Sequence, residues 1–220
     1  MHESRTGLSP LPRSFFTRPT IELAVALLGV RLVRRWEDGT ASVGVIVETE
    51  AYGGPADRAS HARAGPTRRN AAMFGPPGHA YVYRVYGLHT CLNVVGAADG
   101  GVGAVLVRAV APLEGIVALA VRRTPPARTA PPRARLAAGP GNVGAAFGIG
   151  LELDGADLTA PGPLWLAAPA AGMREALLAD GVAAAARVGV AYAGAGWSDR
   201  PWRFGVRDHA SLSRPFPRSG

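Results

Sequence analysis

A β-hairpin is predicted over residues 30–52, which read VRLVRRWEDGTASVGVIVETEAY. The first strand, Val30 to Trp36, is rich in residues that favour extended backbone, and Asp38-Gly39 supplies the two central residues of a tight turn. The second strand, Ala41 to Tyr52, is longer and carries both apolar and acidic side chains. The hairpin therefore predicts a β-sheet at the centre of the fold, with reactive groups at the end of its long strand.

Strict alternation on the long strand predicts two chemically different faces, because successive strand residues point to opposite sides of a sheet. The dry face would consist of Val43, Val45, Val47 and Thr49. The other face would consist of Ile46, Glu48, Glu50 and Tyr52. That second face therefore ends in carboxylates and a phenol.

A second hairpin is predicted from two β-prone runs, Ala80 to Tyr86 and His89 to Val95. Gly87-Leu88 joins them, with glycine first, as a type II′ turn requires. Tyr86 is thereby placed at the tip of this hairpin.

Helices are predicted before, between and after the strands in the sequence. The first begins after Pro19 and closes at Gly29, with its leucines on one face. Others are expected at Leu113 to Arg123, from Gly139 to near Gly148, and in an alanine-rich stretch from Arg174 to Arg187. Hairpins interspersed with helices predict an α+β fold rather than a regular βαβ array.

The domain organisation follows from length and local composition. A length of 220 residues fits one domain with a sizeable core. Residues 1–13 are polar and proline-bearing and are predicted to be a flexible leader, so that the domain spans residues 14–220. Residues 53–79 form a loop region too long to be a mere connector, and residues about 124–132 are predicted to be a mobile proline-rich loop.

Charge and composition narrow the class of protein. The 24 basic and 16 acidic side chains give a net charge of +8, so a polyanion or an acidic surface is an expected partner. All the basic residues are arginine, which a GC-rich genome alone would also produce. The absence of lysine excludes a P-loop, a pyridoxal Schiff base and a lysine imine, and the single cysteine, Cys91, excludes an intrachain disulfide and a cysteine-based zinc cluster. No apolar run reaches the roughly 18 residues of a membrane span, so we expect no membrane partner.

Reactive and aromatic side chains are densest between Glu48 and Arg108. On spacing alone, Glu50 is either a strand-end carboxylate that faces water or a general base. The second interpretation gains from its possible neighbours, which are Tyr52, His61 and Arg108.

Three of the five tyrosines, Tyr81, Tyr83 and Tyr86, lie within six positions beside an arginine-rich loop. Tyrosines at a period of two usually pack into a core, but this cluster also suits a surface on which nucleic-acid bases stack. A metal site made of His61, His79 and His89 is a further alternative, which the lack of a helical i, i+4 pair disfavours.

Several motifs together resemble those of the alkyladenine (3-methyladenine) DNA glycosylase family. They are Val47 to Tyr52, Asp57 to His61, Arg69-Asn70, Met73-Phe74, Tyr81 to Tyr83 with Tyr86-Gly87, Asn93-Val94, Leu106 to Ala109, Glu114-Gly115, Gly139-Pro140 and Pro201 to Phe204. The resemblance runs in consistent order from about Leu11 to Arg214. It implies a single mixed domain with a curved antiparallel sheet, a protruding β-hairpin and surrounding helices.

The resemblance also implies a catalytic pair and a base slot. The residue at the position of Glu50 is the general base that activates a water, and the one at Arg108 helps to hold that water and the carboxylate. The residues at Tyr52 and Tyr83 enclose an extruded base between them. The residue at His61 completes the slot with a polar contact to the edge of the base.

Two further positions and the absence of cofactors follow from the same resemblance. Asn93 lies at the floor of the slot, where it helps to reject normal bases. Tyr86 enters the minor groove and fills the gap that the flipped nucleotide leaves. No metal and no organic cofactor is implied. Near the C-terminus, Gly205 to Ala210 departs from the family pattern, which has a further aromatic residue after the arginine-phenylalanine pair.

The function implied is that of a monofunctional DNA glycosylase of base excision repair. It would flip 3-methyladenine, 7-methylguanine, hypoxanthine or ethenoadenine out of double-stranded DNA and leave an abasic site, without lyase activity. We expect a monomer in the bacterial cytoplasm, associated with the nucleoid. The alternative from another class is a non-catalytic protein that flips and binds damaged bases.

Overall fold

An antiparallel sheet runs through the part of the chain that the computed structural model describes, residues 7–96 and 101–217. Within these ranges its eight strands are β1 Arg31–Arg35, β2 Ala41–Tyr52, β3 Ala80–Val85, β4 His89–Gly96, β5 Gly103–Glu114, β6 Leu164–Ala167, β7 Val182–Ala185 and β8 Arg203–Val206. They follow the order β3-β4-β5-β2-β1-β6, while β8 pairs with both β2 and β7. The predicted α+β class, with one domain built on an antiparallel sheet, is confirmed.

Short helices cover the sheet. The α-helices of the described ranges are α1 Thr20–Ala26, α2 Ile116–Arg123, α3 Pro140–Ala146 and α4 Met173–Leu177. Short 3-10 helices occupy Arg13–Phe16, His61–Ala64, Ala71–Phe74, Arg133–Arg135, Leu151–Leu153 and Ala191–Ala193. None of the described helices has the length and apolar character needed to cross a lipid bilayer.

The first helix begins after Pro19 and buries the predicted face, but it ends at Ala26, three residues before Gly29. Pro19 precedes α1, and Leu23 and Leu27 are fully buried beneath it. Gly29 follows at φ 91°, a left-handed conformation that glycine adopts without steric penalty. Its N–H donates to the carbonyl oxygen of Ile46 at 2.9 Å, so α1 is joined directly to β2.

A β-bulge changes the two faces of β2. Its pairing with β5 is irregular between Ile46 and Thr49. Before the bulge, Ile46 packs into the largest hydrophobic cluster and Val47 packs on the opposite side of the sheet. After the bulge, Ala51 packs into that largest cluster, and the Thr49 hydroxyl on the same side donates to a backbone carbonyl of α1. The prediction that Ile46 shares a face with Glu50, and Thr49 with the valines, is therefore wrong, because the bulge reverses the alternation.

The first hairpin turn holds three residues rather than two. The N–H of Trp36 donates to the oxygen of Thr40 at 2.9 Å, and Gly39 alone in this loop has a left-handed φ, of 80°. The carboxylate of Asp38 accepts a hydrogen bond from the Thr40 N–H at 2.9 Å. Asp38 thus keeps an ordinary φ, and the predicted two-residue turn, in which it would be a central residue, is wrong.

The second hairpin turn is centred one residue earlier than predicted. Tyr86 and Gly87 have φ values of 51° and 70°, and the N–H of Leu88 donates to the oxygen of Val85 at 3.1 Å. The central residues are therefore Tyr86-Gly87 rather than Gly87-Leu88. A left-handed φ at a bulky residue is strained, and such strain is commonly found where a side chain is held for function.

Two helix predictions are wrong in their bounds. β5 occupies the predicted first turn of α2, and Gly115 at φ 64° separates the two elements. The alanine-rich stretch of residues 174–187 is helical only in α4, and its second half is the strand β7. Pairing with β8 satisfies the backbone polar groups of β7, and this outweighs the helix preference of alanine.

The ends and loops of the domain complete the fold. Residues 1–6 of the predicted leader lie outside the described residues, but Leu11 is buried and its N–H donates to the backbone of β6 at 2.8 Å. This attachment concerns Leu11, and the flexibility of the leader over residues 1–13 stays a prediction. Residues 124–132 contain no helix or strand, and their mobility stays a prediction.

Candidate active site

A cavity of about 400 Å³ opens between the β3-β4 hairpin, the end of β2 and residues 188–192. The predicted site residues that line it are Tyr52, His61, Tyr83, Tyr86, Asn93 and Arg108. Glu50 does not line the cavity, but its carboxylate contacts Tyr52, Arg108 and Val188, which do. The fold therefore brings the predicted residues together, with Glu50 in contact with three residues of the lining.

The Glu50 carboxylate is fully buried and has three partners. Its Oε2 accepts a hydrogen bond from the Tyr52 hydroxyl at 2.9 Å, and its Oε1 accepts one from the Val188 N–H at 2.7 Å. Arg108 Nη1 lies 3.2 Å from Oε1. Burial raises the pKa of Glu50, although Arg108, Val188 and Tyr52 all act in the opposite direction. A carboxylate with a raised pKa at a cavity is the kind of group that serves as a general base.

Arg108 also contacts a second buried carboxylate, Glu48. Arg108 Nε donates to Glu48 Oε1 at 3.0 Å, and Arg203 Nη1 donates to the same oxygen at 3.0 Å. The N–H of Ser213 donates to Glu48 Oε2 at 2.6 Å. Two arginines therefore balance Glu48 and Glu50, so the buried cluster is formally neutral.

Aromatic rings form one wall of the cavity. The ring centroids of His61 and Tyr83 are 4.6 Å apart with an interplanar angle of 77°, and His61 Nδ1 shares a hydrogen bond of 2.8 Å with the Tyr81 hydroxyl. Burial raises the pKa of Tyr81 to about 12. Burial, together with the positive charge of Arg69, lowers the pKa of His61. The wall is therefore uncharged at neutral pH and can contact a flat aromatic ligand.

The lining of the cavity also contains an amide and a thiol. Asn93 is buried, and its Nδ2 donates to the backbone oxygen of Tyr81 at 3.1 Å, which fixes the orientation of the amide. Cys91 lines the cavity beside it, and burial raises the pKa of this thiol to about 11. Cys91 is therefore a neutral lining group rather than a thiolate.

The hairpin tip forms an exposed part of the rim. Tyr86 is 91% exposed although it is aromatic, and Leu88 beside it is 81% exposed. Arg69 and Arg84 also line the cavity near this hairpin. The rim thus combines projecting apolar side chains with positive charge.

Some residues of the site were not found from the sequence. Val188 contributes its backbone N–H, which any residue type could supply, so no sequence signal marks it. Tyr192 lines the cavity opposite the hairpin and donates its hydroxyl hydrogen to the oxygen of Ala59 at 3.1 Å. The role of Glu48 as the second partner of Arg108 was not assigned from the sequence, although alternation places Glu48 on the same face as Glu50.

The three histidines of the metal alternative do not come together. His61 lines the cavity, His79 Nδ1 lies 3.1 Å from Arg13 Nη1, and His89 is packed beside Gly141. Across residues 7–96 and 101–217, no three histidine, cysteine, aspartate or glutamate side chains are grouped as metal ligands would be.

The C-terminal departure from the family pattern does not reach the cavity. None of the residues Gly205 to Ala210 lines it. A Cβ at position 205 would lie 2.5 Å from Phe216 Cε2, so the Phe216 ring occupies the space that a side chain there would need. The same ring lies 3.9 Å from the guanidinium carbon of Arg203 and thus supports the Glu48 cluster.

Comparison with known proteins agrees with this geometry. Residues 14–210 match the family model of methylpurine-DNA glycosylase. A protein of Anaeromyxobacter dehalogenans, named as a candidate 3-methyladenine DNA glycosylase, is 46% identical over 208 residues, which are 94% of this chain and 88% of that protein. One of Methanocella arvoryzae with the same name is 44% identical over 211 residues, covering 94% and 97% of the two chains.

The cavity combines aromatic and arginine side chains with a buried carboxylate that contacts its lining. Because the family model spans nearly the whole chain and the relatives match it over most of their length, the assignment does not depend on one motif. The chain belongs to the methylpurine-DNA glycosylase family and is a DNA glycosylase that acts in the repair of alkylated DNA.

Proposed function

We propose that this glycosylase rotates an alkylated or deaminated purine out of duplex DNA into the cavity and hydrolyses its N-glycosidic bond with a water that Glu50 activates. The observation that carries the proposal is the buried carboxylate of Glu50, which contacts the lining residues Tyr52, Arg108 and Val188. The substrates would be 3-methyladenine, 7-methylguanine, hypoxanthine and ethenoadenine.

A count of hydrogen bonds supports a water on Glu50. An ionised carboxylate has about four acceptor positions. The Val188 N–H occupies one position on Oε1, which also lies 3.2 Å from Arg108 Nη1, and Tyr52 occupies one position on Oε2. One position on Oε2 is left for a water, which would add to the sugar carbon while the negative charge of Glu50 stabilises the positive charge that develops on the sugar.

The cavity walls support selection of alkylated purines. Alkylation gives 3-methyladenine and 7-methylguanine a positive charge, and cation–π attraction to a tyrosine ring is worth about 2 kcal/mol or more when it is desolvated. Burial raises the pKa values of both Tyr52 and Tyr83, so both rings keep their hydroxyl hydrogens at neutral pH. His61 and Asn93 would contact the edges of the base and reject normal purines.

The rim supports opening of the duplex. Rotation of a nucleotide out of the helix costs roughly a few kcal/mol of stacking and pairing, and less at a damaged pair. Tyr86 would enter the minor groove and fill the vacated space, while Arg69 and Arg84 attract phosphates without regard to sequence. The flipped state is thereby stabilised.

The products would be a free base and an abasic site. A lyase step needs an amine that forms an imine with the sugar, and the chain has no lysine, so we propose that it leaves the DNA strand intact. No cofactor enters this mechanism. We further propose that the protein acts as a monomer on DNA in the bacterial cytoplasm. Membership of a family of DNA glycosylases disfavours a purely DNA-binding role.

Single-turnover excision from duplexes that hold one 3-methyladenine, 7-methylguanine, hypoxanthine or ethenoadenine tests this proposal. The wild-type protein in excess should release the free base from lesion-bearing duplexes and leave undamaged duplexes intact. Absence of base release from every lesion duplex would contradict the proposed substrates.

A further inference from the structure

A buried ion pair lies directly behind the base slot. Arg187 and Asp57 are fully buried and meet through two hydrogen bonds, Nη1 to Oδ2 at 2.6 Å and Nη2 to Oδ1 at 3.0 Å. Arg187 Nη1 also donates to the oxygen of Ala51 at 3.0 Å, and its Nη2 donates to that of Trp197 at 3.1 Å. The pair joins the end of β2 to two loops, but neither residue lines the cavity.

The guanidinium of Arg187 stacks on the ring of Tyr52, with its carbon 4.8 Å from the ring centroid. Tyr52 lines the cavity, whereas Arg187 is buried and does not. The guanidinium is therefore on the side of the ring that faces away from the cavity. A base stacked on the other side at roughly 3.5 Å would lie about 8 Å from this positive charge, with a single ring between them.

The charge of Arg187 matters for a base that is itself positively charged. An unbalanced guanidinium would repel such a base and leave a neutral base almost unaffected. Burial alone would raise the pKa of Asp57, but hydrogen bonds from Arg187 and from the Ala59 and Gly53 amides outweigh it and lower the pKa. Asp57 is therefore ionised beside Arg187, and the pair is neutral overall.

We propose that Asp57 is a specificity-determining residue, whose carboxylate cancels the charge of Arg187 behind Tyr52 and so admits positively charged alkylated purines to the slot. The inference rests on the proposed excision of such purines. The side chain of Arg187 attaches residues 187–188 to β2 through its hydrogen bond to the oxygen of Ala51. This attachment holds the N–H of Val188 on the Glu50 carboxylate. Asp57 makes that attachment compatible with a cationic substrate.

The test uses two single-turnover excision rates measured on one protein preparation. The first is the rate for 7-methylguanine, which is cationic, and the second is the rate for hypoxanthine, which is neutral. The quantity compared between variants is the first rate divided by the second. Loss of folded protein lowers both rates equally and leaves the ratio unchanged. In Asp57→Asn the ratio should fall by about tenfold or more, because the variant removes an attractive charge that lies at most about 12 Å from the base, and at an effective dielectric of about 20 this corresponds to about tenfold. If the wild type does not excise hypoxanthine, the affinity of each variant for a duplex that holds ethenoadenine, which is also neutral, replaces the hypoxanthine rate as the reference.

The double variant Asp57→Asn with Arg187→Met separates charge from structure. It removes both charges, so the ratio should return to within about threefold of the wild type even if both rates are lower. A ratio that is unchanged in Asp57→Asn, or that stays low in the double variant, would overturn the inference and leave the pair a structural role only. A wild type that excises neither base would instead overturn the proposed function.

Discussion

Glu48 and Glu50 share one guanidinium: Arg108 Nε lies 3.0 Å from Glu48 Oε1, and Arg108 Nη1 lies 3.2 Å from Glu50 Oε1. Their surroundings nevertheless differ. Glu48 has a second arginine, Arg203, and both the hydroxyl and the N–H of Ser213. Within residues 7–96 and 101–217, Glu50 forms an ion pair with Arg108 and with no second arginine, and burial raises its pKa. One carboxylate is therefore held as a counter-ion, and the other is available for proton transfer.

The two glutamates should respond oppositely to the same substitution. Glu50→Gln should raise the melting temperature at pH 7, because a raised pKa means that folding disfavours the ionised form. Glu48→Gln should lower the unfolding free energy by about 3–5 kcal/mol, because it leaves Arg203 and Arg108 poorly compensated in the interior. Thermal and urea unfolding of both variants measure these effects.

The sign of the Glu50 effect fixes its pH dependence. A group whose folded pKa is raised contributes stability that is fully present below its unfolded pKa, near 4.5, and is lost as pH rises through the folded pKa. The advantage of Glu50→Gln over the wild type should therefore disappear below pH 4.5. An advantage that grows as pH falls would contradict the assigned environment.

The same raised pKa predicts an acid limb in the rate of excision. Glu50 must be ionised to activate water, so the single-turnover rate on 7-methylguanine DNA should fall as pH drops, with a midpoint above 4.5. Enzyme-free duplex at each pH corrects for spontaneous depurination. A rate that stays constant down to pH 4.5 would show that another group limits the reaction.

Tyr86 should matter for activity and not for stability. Tyr86→Gly removes a side chain that is 91% exposed and relieves a left-handed φ of 51°, so the unfolding free energy should change by less than about 1 kcal/mol. Excision should fall by about tenfold or more, since a stacked base-aromatic contact is worth about 1–3 kcal/mol. Tyr86→Phe, which keeps the ring, is the matched control and should retain activity. Equal rates for the glycine variant and the wild type would remove Tyr86 from the proposed role.

The reaction should leave the DNA backbone intact. A lesion duplex treated with the enzyme should break only after alkali, because no lysine is present to form an imine with the sugar. Gel analysis of matched samples with and without alkali measures this. Strand breaks before alkali would require another amine in the site.

Local sequence patterns predicted the elements whose formation depends on residues that are close together in the sequence. The β2 strand, the helix after Pro19 and the exposed position of Tyr86 were predicted from such patterns, and the structure contains them, although the alternation on β2 and the turn beside Tyr86 differ from the prediction. The resemblance supplied the candidate site residues, and the structure gathers them at one cavity.

Features that depend on distant partners were missed for a common reason. The bulge near Glu48 arises from the register of β2 against β5, and β7 forms because β8 pairs with it, so neither can be predicted from its own segment. The Val188 N–H reaches Glu50 across 138 positions and is independent of side-chain type. These contacts determine the environment of Glu50 and therefore its proposed chemistry.

The most direct test of the central claim compares Glu50→Gln with the wild type in single-turnover excision and in binding to the same lesion duplex. The account predicts that excision falls by about 100-fold to 10,000-fold, as loss of a general base implies, while affinity changes by less than about tenfold. Glu22→Gln, at an exposed glutamate on α1, should match the wild type in both measurements. Excision by Glu50→Gln at the wild-type rate would contradict the claim that Glu50 activates the water.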